Sequence, residues 1–288
     1  MASARQSRRP SLLASVFQAR LAWFGGLILG LVLFLAVTAD VLTPYDPNFQ
    51  DYGAVLQPPS AAHLFGTDEI GRDIYARVIY GSRVSLQVGA ISVGIAVFAG
   101  VLVGLLAGHY GGWVDEVLMR GMDALQAFPG LVLALAIAAM LGPGIGNAMI
   151  AIGIVSMPVF ARLVHGQALS VRENDFVMAA RVAGAGAPRI MFHHIWPNVT
   201  GPIIVQASLA CAYAILTEAS LSFLGIGVRP PTAAWGSMLR TAYQYLTSAP
   251  WLSIFPGVAL FLTVVAFNVL GDGLRQALDP RLRGRGHS

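Results

Sequence analysis

The chain has 288 residues, of which 56% are hydrophobic and 11% charged, and a formal net charge of +4. Soluble domains carry roughly 25% charged residues, so this composition cannot cover a globular surface with polar groups and belongs in a bilayer. All 18 basic residues are arginine, which excludes a Walker A phosphate loop, a pyridoxal phosphate Schiff base and a lysine nucleophile; the single Cys211 excludes an internal disulfide and cysteine-held zinc or iron–sulfur centres.

A helix crossing about 30 Å of hydrocarbon needs about 20 residues, and the uncharged stretches supply six such spans. The first runs from Leu21 to Ala39, after Arg5, Arg8, Arg9 and Arg20. Val37-Thr38-Ala39 would pass as a signal-peptide cleavage site, but 19 apolar residues exceed the roughly 7–15 of such a segment, which predicts an uncleaved span. Ahead of the second span, Asp68/Arg72 and Asp73/Arg77 stand at i,i+4 with Ile70, Ile74 and Val78 opposite, a pattern that predicts an amphipathic helix on the membrane surface. The second span is Val84 to Gly108; Gly89, Gly94, Gly100, Gly104 and Gly108 along it allow close approach of helix backbones. From Ala124 to Ala161 the chain is uncharged for 38 residues, too long for one crossing, and Gly142-Pro143-Gly144-Ile145-Gly146 marks a turn between a third and a fourth span. The fifth runs from about Gly201 to Leu224 and the sixth from Trp251 to Leu270, ending at Gly271-Asp272-Gly273.

Six spans put both termini on one side. With that side inside, thirteen arginines fall in inner segments and five (Arg72, Arg77, Arg83, Arg229 and Arg240) in outer ones, which predicts cytoplasmic termini.

Between the fourth and fifth spans lies a polar island, Asp175 to Asn198. Asn174 or Asp175 caps a short helix through Ala183, with Phe176, Val177 and Ala180 on one face. Gly184-Ala185-Gly186 breaks it, and Pro188 restarts a second helix carrying Arg189, His193 and His194. Such a knob between spans is suited to passing force to them from a soluble partner; an ordinary loop anchored by arginines to anionic lipid is the plainer alternative.

The island resembles the EAA loop of ABC importer permease subunits, whose pattern is Glu-Ala-Ala, three residues, Gly, nine residues, Ile, one residue, Leu-Pro. Ala179, Ala180, Gly184 and Pro197 match, while Met178, His194 and Trp196 replace the Glu, the Ile and the Leu. His194 to Asn198 resembles the form found in dipeptide and oligopeptide permeases. Three further blocks resemble the C-type subunit of dipeptide, oligopeptide and nickel importers: Phe65 to Asp73 running on to Gly81–Leu86, Glu218 to Gly225, and Gly271 to Arg275 with Leu278 to Arg281.

The resemblance implies an all-α integral membrane protein with six transmembrane helices, the type I ABC importer permease fold and a cytoplasmic EAA coupling loop. It implies an arm, first span and outer segment over 1–82, a permease domain over 83–273 with its coupling loop at 173–198, and a basic tail over 274–288. The implied partners are a second homologous permease, two cytoplasmic ABC ATPases that bind the ATP and Mg, and an extracytoplasmic substrate-binding protein, in the lipid bilayer of a bacterial inner membrane and without nucleic acid. The implied ATPase-coupling residues are Ala179, Ala180, Arg181, Gly184, His193, His194, Ile195, Trp196 and Pro197. The implied activity is ATP-driven import of dipeptides, oligopeptides or a similar small solute, with no catalysis and no cofactor in this chain. The outer helix around Asp68 to Val78 serves either as a purely structural element or as a contact for the binding protein.

Glu218 is the sole carboxylate well inside a predicted span. Seventeen residues beyond Gly201 at about 1.5 Å each put it near the far end of the crossing, where it either joins helices or lines the substrate path together with Ser220 and Ser222. The histidines give no pair of metal ligands inside a span, and no Ser-His-Asp, Gly-x-Ser or HExxH arrangement is present. The competing class is an ion-coupled secondary transporter, which calls for several intramembrane carboxylates.

Overall fold

A computed structural model describes residues 12–278, with side chains from Ala22 onward. The arginines at 5, 8 and 9, the side chain of Arg20 and the tail arginines at 281, 283 and 285 lie outside the described residues. Within them the chain is helical with no strand: α1 (Leu12–Leu42), α2 (Ile74–Tyr110), α3 (Gly112–Gln126), α4 (Gly130–Leu141), α5 (Ile145–Arg172), α6 (Asp175–Val182), α7 (Ala187–Arg189), α8 (Trp196–Phe223), α9 (Trp235–Tyr243) and α10 (Trp251–Leu278). Five segments are long and apolar enough to cross a membrane, namely Ala22–Leu42, Ile74–Tyr110, Ile145–Arg172, Ala187–Phe223 and Trp251–Leu278. The sixth is α3 with α4, bent by 94° at the break between them.

That bend corrects the third span, which the sequence pattern makes one helix from Ala124. Pro129 lacks an N–H and disfavours helical backbone at Phe128, so α3 stops at Gln126 and α4 restarts behind Pro129 at its N-cap. Alone, α4 has 12 residues, about 18 Å, and falls short of a crossing. The hairpin to α5 follows as expected: Gly142 and Gly144 adopt positive φ, and Asn147 Nδ2 donates to the carbonyls of Leu141 (2.8 Å) and Gly142 (2.9 Å).

The core is built on α2, α5 and α8. Gly100, Gly104 and Gly108 present one face of α2 to the backbone and Cβ atoms of Met157 to Ala168 on α5, with no room for a side chain, while Gly153 of α5 meets Ser92 and Ile95 in return. Two of the glycines grouped with them differ: Gly89 faces Cys211 and Ile215 of α8, and Gly94 meets nothing. Phe160, Leu105, Ile152, Ile215 and Val164 fill the space between these helices. Around this core, α1 lies against α10, where Gly25 meets the Ala266 carbonyl. Arg83 ties α1 to α2 through the Ala36 carbonyl (2.6 Å) and Asp40 (2.8 Å).

The predicted surface helix before the second span is not formed. Gly71 takes φ +80, which only glycine adopts cheaply, and Asp68 Oδ1 accepts the amides of Ile70 (3.1 Å) and Arg72 (2.9 Å), closing a turn. Asp73 then caps α2 by accepting from the Ala76 amide at 2.8 Å, so α2 starts ten residues before Val84. The sixth span also continues past Leu270 to Leu278. Gly271 packs on Ser208 and Leu209, and Gly273 on Ala22, so this pair serves close helix contact instead of stopping the helix.

Candidate functional site

The segment joining α5 to α8 folds as a short helix, a tight reversal and a second helix. Asn174, with extended backbone, precedes α6; its side chain makes no capping bond. At the other end Gly184 has φ +84, its N–H donates to the Arg181 carbonyl (3.0 Å) and that of Ala185 to the Ala180 carbonyl (3.0 Å), the two bonds of a Schellman termination. Gly186 caps α7, Pro188 occupies its first turn, and a π-helical stretch, Ile190–Ile195, carries the chain into α8 without a break. Pro197 and Pro202 therefore lie inside α8, where the sequence pattern has them leading into it.

Burial divides the residues of this segment into two sets. Val177, Ile195 and Val199 are 0% exposed and anchor it to the core, with Ile190 and Met191 beside them. Ala179, Arg181, Gly184, His193 and Pro197 are exposed, and Ala180, His194 and Trp196 are half-buried. Of the face expected on α6, Val177 is buried and Ala180 half-buried, but Phe176 is exposed and lies near the His194 ring, 6.3 Å between centroids. Val182 (89% exposed), Phe192, Met178 and Phe176 leave apolar side chains in the open among the polar ones. Val182 and Phe192 carry no sequence signal of their own beyond standing within the island. On the same side Arg172 Nη1 donates to the Gly108 carbonyl (2.9 Å), tying the end of α5 to the end of α2.

At the opposite end of the bundle the segment from residue 43 to 73 and the loop from 224 to 234 close over α2, α9 and α10. Asp68 Oδ2 accepts from Arg72 Nε (2.6 Å) and lies 3.8 Å from Arg77 Nε; all three residues are buried. Arg77 Nη1 also donates to the carbonyls of Pro47 (2.9 Å) and Pro231 (3.4 Å). Glu69 accepts from Arg72 Nη2 (3.1 Å), and its carboxyl is pushed above the usual carboxylate range by burial first and by the Asp68 charge second. The i,i+4 residues expected on a surface helix are thus buried: Asp68, Arg72 and Arg77 form a knot, while Asp73 Oδ2 pairs with His63 Nδ1 at 2.8 Å. Phe65 stacks on Phe255 of α10 at 3.9 Å.

Glu218 lies near that end of α8, 1% exposed, and its Oε1 accepts from Ser222 Oγ at 2.5 Å. Ser222 Oγ in turn accepts the Val228 amide at 2.9 Å. Ser220 Oγ bonds back to the Leu216 carbonyl (2.8 Å). Among the described residues no three His, Cys, Asp or Glu side chains come together as metal ligands.

A family model described as "Binding-protein-dependent transport system inner membrane component" matches residues 100–284, and one described as "N-terminal TM domain of oligopeptide transport permease C" matches residues 14–59. The chain belongs to the former family. It is a C-type permease subunit of an ABC importer, with the type I ABC permease fold, and the ion-coupled alternative falls away. The permease is 47% identical over 264 residues to a dipeptide transport system permease protein of Alkalihalophilus pseudofirmus, covering 92% of this chain and 87% of that one. It is 46% identical to a glutathione transport system permease protein of Pectobacterium atrosepticum (90% and 86% covered). Identity to a di/tripeptide transport system permease protein of Pseudomonas aeruginosa is 47% (90% and 88% covered). Family membership makes the permease a multi-pass inner-membrane component that works with a substrate-binding protein and ATPase partners and is not itself the enzyme.

Proposed function

We propose that the permease imports dipeptides, oligopeptides or a similar small peptide-bonded solute, paired with a second homologous permease, two cytoplasmic ATPases that bind ATP and Mg, and an extracytoplasmic binding protein. The observation that carries the coupling mechanism is the knob at α6 and α7, anchored by Val177 and Ile195 and presenting Ala179, Arg181, Gly184, His193 and Pro197 outward. In this reading Ala179, Ala180, Arg181, Gly184, His193, His194, Trp196 and Pro197 form or border the ATPase contact. Ile195 acts from beneath it. Closure of the ATPase pair pushes the knob, and α5 and α8, which it joins, carry the displacement into the membrane as a change between two states. The peptide reading is supported by the three relatives, whose names all carry peptide-type solutes. The orientation follows from the arginine balance: knob and termini cytoplasmic, the Asp68 knot outside. Glu218, wholly buried within this chain, is assigned to joining α8 to the loop after it.

Cysteine cross-linking tests coupling and orientation together in a variant whose lone Cys211 is replaced by serine. A cysteine at Ala179 or Arg181 should cross-link to the ATPase and react with an impermeant maleimide from the cytoplasmic side only, while one at exposed Arg229 reacts from outside. Cross-linking at Arg229 and none at Ala179 or Arg181 would sink the assignment.

A further inference from the structure

We infer that the break in the third span is a subsite for the carboxylate of the transported solute, built from the N-terminus of α4 and the hydroxyls of Ser156 and Tyr213. The ligand named here rests on the peptide reading above.

The break faces a half-open cleft of about 470 Å³ between α3, α4, α5 and α8, lined by Gln126, Phe128, Gly130, Ser156, Gln206 and Tyr213 among others. It lies at mid-depth. Ser156 is eleven residues past the start of α5, about 17 Å along it, and Tyr213 ten residues before the end of α8, about 15 Å from it. A helix that begins inside the bilayer offers its positive end to whatever occupies the space ahead of it. Here the first backbone bond of α4 runs from the Leu133 N–H to the Pro129 carbonyl (3.0 Å). The amides of Gly130, Leu131 and Val132 thus have no helical carbonyl to donate to. Pro129 supplies no capping side chain.

The second observation is independent of the helix end. Ser156 is 7% exposed, lines the cleft, and its Oγ has no hydrogen-bond partner. A buried hydroxyl left open is unfavourable, and on a helix the carbonyl four residues back is its ready alternative acceptor. The Tyr213 hydroxyl lies directly against Gly130, so a Cβ there would collide with it. This puts a hydroxyl donor at that end of α4, in the cleft that Ser156 also lines. Neither a carboxylate nor an arginine is among the cleft's lining residues. The site therefore holds an anion by partial charges and neutral donors alone, which suits a transport path: a solute must be met at mid-membrane and then released.

Two measurements on the assembled importer test this. Saturation-transfer NMR on the complex in nanodiscs, without the binding protein, compares dialanine with dialanine amide for the wild type, Ser156→Ala, Ser156→Thr and Tyr213→Phe. The wild type should favour the free acid about tenfold, the loss expected when one hydrogen bond to a charged group is removed. Ser156→Ala and Tyr213→Phe should each cut that preference several-fold and Ser156→Thr keep it. Equal response to acid and amide in the wild type, or a preference untouched by both deletions, overturns the subsite. Uptake of labelled dialanine into proteoliposomes with the binding protein present tests the peptide reading separately. No uptake by the wild type overturns that reading, whatever the NMR shows.

Discussion

The reversal at Gly184 permits a prediction in which one variable changes at a time. A Cβ on Gly184 would meet no atom within 4 Å, so substitution there introduces no clash, and its cost lies wholly in the left-handed backbone at φ +84. For ordinary L-residues that conformation costs roughly 1–2 kcal/mol; asparagine tolerates it best and β-branched residues worst. At about 1.4 kcal/mol per factor of ten, Gly184→Ala should raise the opening equilibrium of the turn about 5- to 30-fold, Gly184→Asn less and Gly184→Val more. Gly184→Pro goes further, since it cannot reach φ +84 and removes the N–H that donates to Arg181. Hydrogen exchange of the peptide covering residues 175–190, measured on the assembled complex, reports this opening directly. The expected order of exchange is wild type, Asn, Ala, Val, Pro. Peptide uptake should fail at the Pro end of the series, where the knob is no longer preformed for docking. Equal protection in the Asn and Val variants would refute the argument, because it would mean that the left-handed turn does not hold the knob together.

Other perturbations test the packing and the knot. Asp68→Ala leaves Arg72 and Arg77 buried without their shared carboxylate and should cost about 3–5 kcal/mol, seen as loss of folded complex on size-exclusion chromatography; unchanged yield and melting temperature would contradict the buried ion cluster. Gly104→Ala drives a methyl into the α5 backbone and should cost about 1–3 kcal/mol, whereas Gly94→Ala, which faces open space, should be neutral or better in the same thermal assay. For Glu69 the sign follows from its raised pKa: burial favours the proton, so the ionised form weakens the fold above its folded-state pKa and the penalty vanishes below about 4.5. Glu69→Gln should therefore raise the melting temperature relative to the wild type at pH 7 and lose that advantage by pH 4; a gain equal at both pH values would contradict the burial argument.

What the sequence made legible depends on whether a residue's role is local. Gly184 and Pro188 punctuate the knob through their own φ preferences, and the four-residue spacing of Gly100, Gly104 and Gly108 records a helix contact directly, so both can be read without coordinates. The break at Phe128-Pro129 was hidden because it lies in an uncharged run, where hydropathy measures length but not continuity. Asp68 to Arg77 misled for a different reason: i,i+4 acid–base spacing fits a helix, but Gly71 and the amide-accepting Asp68 make a turn with the same residues, and their burial comes from chain segments far away in sequence. Gly271 and Gly273 were equally ambiguous, since a glycine pair marks a helix end or a close crossing, and only the partners, Leu209 and Ala22, decide. At the cleft, Ser156 and Tyr213 carry no motif. They share one cleft, and the approach of the Tyr213 hydroxyl to Gly130 depends on the break itself, so missing the one concealed the other.

One continuous element leads from the knob to the opposite end of the bundle. The helical run Ala187–Phe223 spans 37 residues, about 55 Å, with the proposed ATPase contact at its start and Glu218 near its far end. Its backbone ladder is weakened at the π-helical stretch Ile190–Ile195 and at Pro202, both close to the knob; from Pro202 to Phe223 it has no such interruption. Past that point it is clamped. Glu218 through Ser222 holds the Val228 amide, Gly236 sits on the Ala219 backbone, and the loop returns to α2 through Arg77 with Pro231 and through Trp235 Nε1 with the Val78 carbonyl at 2.9 Å. In the proposed coupling, a displacement applied to the knob would bend the run as far as Pro202, and the remainder would move as a rod joined at its far end to the Asp68 knot. Tyr213 and Gln206 lie on that rigid portion, while Ser156 and Gly130 belong to the α4–α5 hairpin. In the proposed coupling, tilting the rod relative to the hairpin would open or close the cleft in the same stroke that moves the Asp68 knot.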